Sequence, residues 1–245
     1  MKYCVVLVLM VFVLMDASHF DHRAAVGFSV SPQVPAKLSS RCLGDEEVLR
    51  RLESISTGQT LSEQLSAQSQ LVANAKKSSE CRTRVITALV KAMDKPALDL
   101  QNDRPSFYLW HYGGEILASL KAAEALDLLI EHFELHDGTL FPLHHHPALI
   151  NIIRMGSLAI PKLTTVLKEN PNPNSRQYAV FCLAEIGGAD AKSALQQALS
   201  SESNTCVRSF MGVTLQAFNN STSGDHIEPE TRTRWYATFV CDDAR

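Results

Sequence analysis

The chain has 245 residues, 45% of them hydrophobic and 20% charged, with a formal net charge of −3 and a pI near 6.3. This composition excludes a disordered chain. It also lacks the concentrated basic surface on which nucleic-acid binding rests, because the basic groups at Arg50-Arg51, Lys76-Lys77 and Arg82 with Arg84 are interrupted by Asp45, Glu46, Glu47, Glu53 and Glu80. Nucleic acid is therefore not an expected partner.

Residues 1–23 read as a signal peptide or short anchor. Met1-Lys2-Tyr3-Cys4 is followed by an unbroken apolar run from Val5 to Met15, the order of a basic leader and an export h-region. Eleven residues rise about 16 Å as a helix against a hydrocarbon core of about 30 Å. Asp16, Ser18 and His19 stop the run from being extended, and Met15 with Ala17 is the best pair for cleavage. The expectation is a periplasmic or secreted protein, with a membrane-anchored form as the alternative if the segment stays uncleaved. Membrane contact is then confined to that segment. Cys4 precedes the apolar run, so it is not placed as a lipidation cysteine.

Residues 24–40 read as a linker, with Gly27, Pro32, Pro35 and several serines but no helical period. Residues 41–105 read as N-terminal helices. From Asp45, DEEVLRRLESI sets Val48, Leu49, Leu52 and Ile55 on one face and acids in the first turn. Thr60 to Lys77 repeats the pattern with Leu61, Leu65, Leu71 and Val72. A third helix runs from Ser79 to Met93 on Val85, Ile86, Leu89 and Val90, and Pro96 closes it. From Ala97 to Ser106 the period lapses, which predicts a loop.

Five cysteines follow the leader, at positions 42, 81, 182, 206 and 241, with no zinc-type spacing. Cys42 and Cys81 flank predicted helices and form the first candidate disulfide for an oxidising compartment. The alternative is that all five are small core residues. Cys182 is expected to remain a buried thiol.

Residues 106–219 read as a repeat array, and 220–245 as a loop and capping segment. Three copies align: YGGEILASLKAAEALDLLIEHF, PALINIIRMGSLAIPKLTTVL and SRQYAVFCLAEIGGADAKSALQQAL. In each, one apolar helix breaks at a short turn and a second follows. Leu126, Leu163 and Leu195 match in the second helices, 37 and 32 residues apart. Gly156 and Gly187-Gly188 stand where a helix ends in a left-handed residue, and Pro161 where the next helix opens. A partial fourth copy, TCVRSFMGVTLQAF, stops at Asn219-Asn220. Trp235, Tyr236, Phe239 and Val240 then suit a terminal cap.

The copies resemble HEAT repeats of the short bacterial kind, including those of phycobilisome-lyase type. The match is clearest from Ala179 to Leu199, where Ala184, Ile186, Gly187, Ala191, Ala194, Leu195 and Leu199 fit the family pattern. The resemblance implies an all-α fold, a right-handed α-solenoid of antiparallel helix pairs. It also implies a binding scaffold for a protein or peptide, without catalysis or cofactor. If the second helices line the binding side as in that family, Glu131, Lys162, Thr165, Lys168, Gln196 and Gln197 are the contact candidates.

One anomaly argues otherwise. Five of the nine histidines lie between His132 and His146. His132 and His136 are four apart, so a continuing helix would face both the same way, with His144 or His146 returning from the loop to hold a divalent transition metal. The alternative function is thus a metal-binding protein or metal-dependent, lyase-like enzyme using the turn at 132–146. Solvated loop histidines explain the same pattern. No GxSxG elbow or phosphate loop is present. Trp110 and Tyr112 are expected to fill the core.

Overall fold

The computed structural model describes residues 41–94, 100, 103–135 and 146–221. The chain divides into two units, Met1–Leu38 and Ser39–Arg245, and every described element belongs to the second. The signal and linker segments, Pro96, His136, His144 and the capping segment around Trp235 lie outside the described residues. Among those described, all regular structure is helical.

The first three helices are α1 (Asp45–Thr57), α2 (Leu61–Ala75) and α3 (Ser79–Met93). Asp45, Glu46 and Glu47 fill the first turn of α1, where the helix dipole favours anions, and Val48, Leu52 and Ile55 are buried at helical spacing. Thr60 and Glu63 close a reciprocal capping box on α2, the Thr60 amide donating to Glu63 Oε2 at 3.1 Å and the Glu63 amide to Thr60 Oγ1 at 3.2 Å. Ser78 caps α3 by accepting from the Cys81 amide at 3.2 Å. All three helices pack on one another.

The predicted loop from Ala97 to Ser106 is shorter than its sequence suggests, because α4 (Arg104–Tyr108) already begins inside it. Asp103 accepts from the Ser106 amide at 3.1 Å and Pro105 sits in the first turn. Those residues start a helix without contributing apolar periodicity, which is why the apolar period lapses there. α4 continues through a single π-turn, Leu109–Gly113, into α5 (Gly114–Ser119). A Cβ at Gly114 would overlap the Asn151 amide, so glycine lets α5 lie directly against the helix that carries Asn151.

Four helix pairs or part-pairs follow: α6 (Leu126–Glu131), α7 (Pro147–Met155), α8 (Ile160–Glu169), α9 (Pro173–Ile186), α10 (Gly188–Leu199) and α11 (Thr205–Asn220). Gly156 and Gly187 end α7 and α9 at φ 67° and 70°, as expected, but with ψ of −139° and −169°. That is extended backbone of mirror hand, which side chains tolerate less than the left-handed helical form. The first pair lacks a turn glycine, and Lys121 takes a positive φ of 51° in its place.

Packing is sequential. α5 meets α7, α7 meets α9 and α9 meets α11, while α8 lies against α9 and α10, and α10 against α11. The buried leucines Leu126, Leu163 and Leu195 belong to one continuous core with Trp110, Ile152, Leu183 and Phe218. Neighbouring pairs cover each other's apolar sides, as repeat arrays require.

Candidate functional site

The second helices present the predicted contact residues. α8 buries Leu163, Val166 and Leu167, and α10 buries Ala191, Ala194, Leu195 and Ala198. The period of burial leaves Thr165, Lys168, Gln196 and Gln197 exposed on two neighbouring helices, and Glu131 exposed at the end of α6. Lys162 is half-buried and pairs with Asp127 at 2.5 Å. Thr165 donates to the Pro161 carbonyl at 3.3 Å and Gln197 to Ser193 Oγ at 3.2 Å. The face is polar and mixed in charge, without a nucleophile and base in register.

Histidines do not converge among the described residues. α6 ends at Glu131 and His132 is its C-cap, so the helix that would face His132 and His136 the same way stops before either. The His132 ring stands edge-on to Trp110, centroids 5.0 Å apart. His146 precedes α7, 5% exposed, 6.5 Å from the Tyr178 ring. Burial, and then the charge of Glu134, raise the Tyr178 hydroxyl above its ordinary pKa. Trp110 is fully buried and Tyr112 half-buried. Among the described residues, no group of three or more His, Cys, Asp or Glu is placed to hold a metal ion.

One polar cluster escapes sequence reasoning. Glu115 on α5 accepts from Gln68 of α2 at 2.9 Å and pairs with Arg154 of α7, and His111 Nε2 stands 4.0 Å from its Oε1. Asn151 donates to the Pro147 carbonyl at 2.8 Å beside it. Burial, then Glu115, then Tyr108 raise the Tyr112 hydroxyl. The spacing of His111 and Glu115 on one helical run was the only local signal. Gln68 and Arg154 are 47 and 39 residues from Glu115, beyond any helical period. Its carboxylate is compensated by Arg154, and the cluster ties α2, α5 and α7 together.

Cys42 and Cys81 are joined by a disulfide, with Cα atoms 5.2 Å apart. Cys206 is also disulfide-bonded. Cys182 is a free thiol at the centre of α9, and burial, helped by the charge of Glu185, pushes its pKa far up.

With this geometry in view, the comparisons bear on the helices that hold the exposed polar face. A family model for HEAT repeats matches residues 160–229. The HEAT match begins at the first residue of α8 and includes α9, α10 and α11, the helices that carry the clearest sequence copy. No curated protein and no solved structure matches the chain. No helix among the described residues is long and apolar enough to cross a membrane.

Proposed function

We propose that the protein is an exported scaffold, a right-handed HEAT-like solenoid that holds a protein or peptide partner without turning it over. The observation that carries this reading is the pairing of α8 with α10. Their apolar sides are buried, and Thr165, Lys168, Gln196 and Gln197 stay exposed on these two packed helices, which we take as one polar strip. Repeat folds bind through such extended surfaces. The basic-then-apolar N-terminus and the two disulfide-bonded sites favour an oxidising destination, periplasmic or secreted. Retention of the leader as an anchor is the variant of this reading.

The test is capture from the native envelope or secreted fraction with the purified chain as bait. Substituting Lys168→Glu together with Gln196→Ala should weaken capture of the specific partner at least about tenfold, since a rim charge and an amide are removed from the strip. Melting temperature should stay within about 1 °C, as surface changes remain near neutral. Capture that ignores both substitutions removes this face from the proposal.

A further inference from the structure

We infer that residues 41–44 form an oxidation-dependent strap that closes the N-terminal end of the helix array, so that α1 docks firmly only after Cys42 and Cys81 are joined. Each strap residue from Arg41 to Leu43 is tied to the segment that carries α2 and α3, and the Gly44 carbonyl accepts from the Val48 amide at 3.0 Å. Cys42 is bonded to Cys81 on α3, and the Leu43 amide donates to Asn74 Oδ1 on α2 at 2.9 Å. Arg84 of α3 donates to the Leu43 carbonyl at 2.8 Å, and Lys77 Nζ to the Arg41 carbonyl at 3.1 Å. Asn74 is 2% exposed, so its side-chain oxygen meets the Leu43 amide away from solvent. Leu43 packs against the core from outside.

α1 is poorly equipped to hold itself. Its N-cap, Gly44, has no side chain to receive the first amides, and its last turn carries no basic residue. Only Val48, Leu52 and Ile55 enter the core from its 13 residues. Ordering a helix of that length costs more conformational entropy, at about 1–2 kcal/mol per residue, than three buried side chains return at about 1.5–3 kcal/mol each, so its further contacts decide how firmly it is held. Gln64 of α2 donates to the Ile55 carbonyl at 3.1 Å at the far end of α1, so the strap holds its near end, where the Lys77 bond is exposed, the Arg84 bond is half-buried and Arg84 also pairs with Asp45, each individually modest. A crosslink across a sequence separation of 39 shifts the closed-to-open ratio by about two to three orders of magnitude.

The chemistry balances as thiol–disulfide exchange. The Cys42 and Cys81 thiols give up two protons and two electrons to the disulfide of a dithiol–disulfide oxidoreductase, which leaves as a dithiol, and a dithiol reductant reverses the step. Cys81 is 1% exposed while Cys42 is half-buried, so exchange starts at Cys42.

The experiment is amide hydrogen exchange on the full chain and on Cys42→Ser with Cys81→Ser. The double variant is used because a reductant would also cut the Cys206 disulfide. The expected result is a loss of about a hundredfold or more in the protection of α1 amides, with α9 and α10 unchanged. Protection of α1 within about tenfold of the oxidised protein overturns the strap. Equal loss in α1 and α10 also overturns it, because the disulfide would then support the whole fold and not its end. A Leu43→Ala variant with the disulfide intact should keep α1 protected, and loss of protection there would place closure on packing instead.

Discussion

Residues 41–93 and residues 146–221 build similar helix pairs on different supports. The first region is clasped across sequence: a disulfide joins Cys42 to Cys81, and strap hydrogen bonds reach 31 and 41 residues along the chain. The second is built mostly from near neighbours, with glycine turns at Gly156 and Gly187, proline at helix starts and an asparagine cap at Asn204. It too has ties across sequence: Arg176 of α9 grips Glu202, both nitrogen–oxygen distances 2.8 Å, Lys121 reaches the Arg154 and Met155 carbonyls, and Cys206 is disulfide-bonded. α1, α2 and α3 pack on one another, α1 packs on α4 as well, and the disulfide adds a covalent fastening to that packing.

The contrast can be broken most severely at Arg176→Ala. Glu202 is 5% exposed, and it would be left charged in the α10–α11 junction with only backbone amides to compensate it. The expected cost is about 3–5 kcal/mol, read by urea unfolding. Its pH dependence is a sharper check. Burial by itself pushes the Glu202 carboxyl up, but the hydrogen bonds from Arg176 and the Asn204 and Ser203 amides, with the Arg176 charge, hold it below 4.5. A depressed folded pKa gives stability that is present above the unfolded value of about 4.3 and lost as pH falls through the folded one. In Arg176→Ala only burial and the amides remain, so this acid-sensitive share should shrink or reverse.

Cys42→Ser with Cys81→Ser follows, with about 2–4 kcal/mol expected and confined to the first three helices. A single cooperative transition shifted as a whole would erase the distinction between the two regions. Gly187→Ala comes next. Its φ of 70° with ψ of −169° is nearly exclusive to glycine, and about 1–3 kcal/mol of strain should appear in the melting temperature. Gly212, by contrast, has open space around it and lies within α11, so alanine there should be neutral or stabilising by up to about 1 kcal/mol. Asn204→Ala is the smallest loss, about 1 kcal/mol, from the amides of Cys206 and Val207 that it caps.

Much of the helical order was legible because local chemistry and apolar spacing agreed. Val48, Leu52 and Ile55 mark α1, although Leu49, Leu61 and Leu65, expected on the same buried faces, are exposed, and Gly187 and Pro161 mark turn and start in the segment that matches HEAT repeats. Reading failed where a helix begins on a cap instead of an apolar step, at Asp103 to Pro105. It also failed where long-range partners define a cluster. Nothing near Glu115 announces Gln68 or Arg154, and nothing near Arg176 announces Glu202, 26 residues on. Lys121 shows a third limit. Its amine reaches the Arg154 and Met155 carbonyls at 2.9 and 3.1 Å, so a lysine performs the turn that glycine performs elsewhere while tying one pair to the next.

Cys182 gives the molecule a reporter of its own. A thiol with no exposed surface and a strongly raised pKa is inert toward iodoacetamide while α9 remains packed. Its alkylation rate, read at the Cys182 peptide, counts how often α9 opens, and a partner seated on α8 and α10 as proposed should slow that clock.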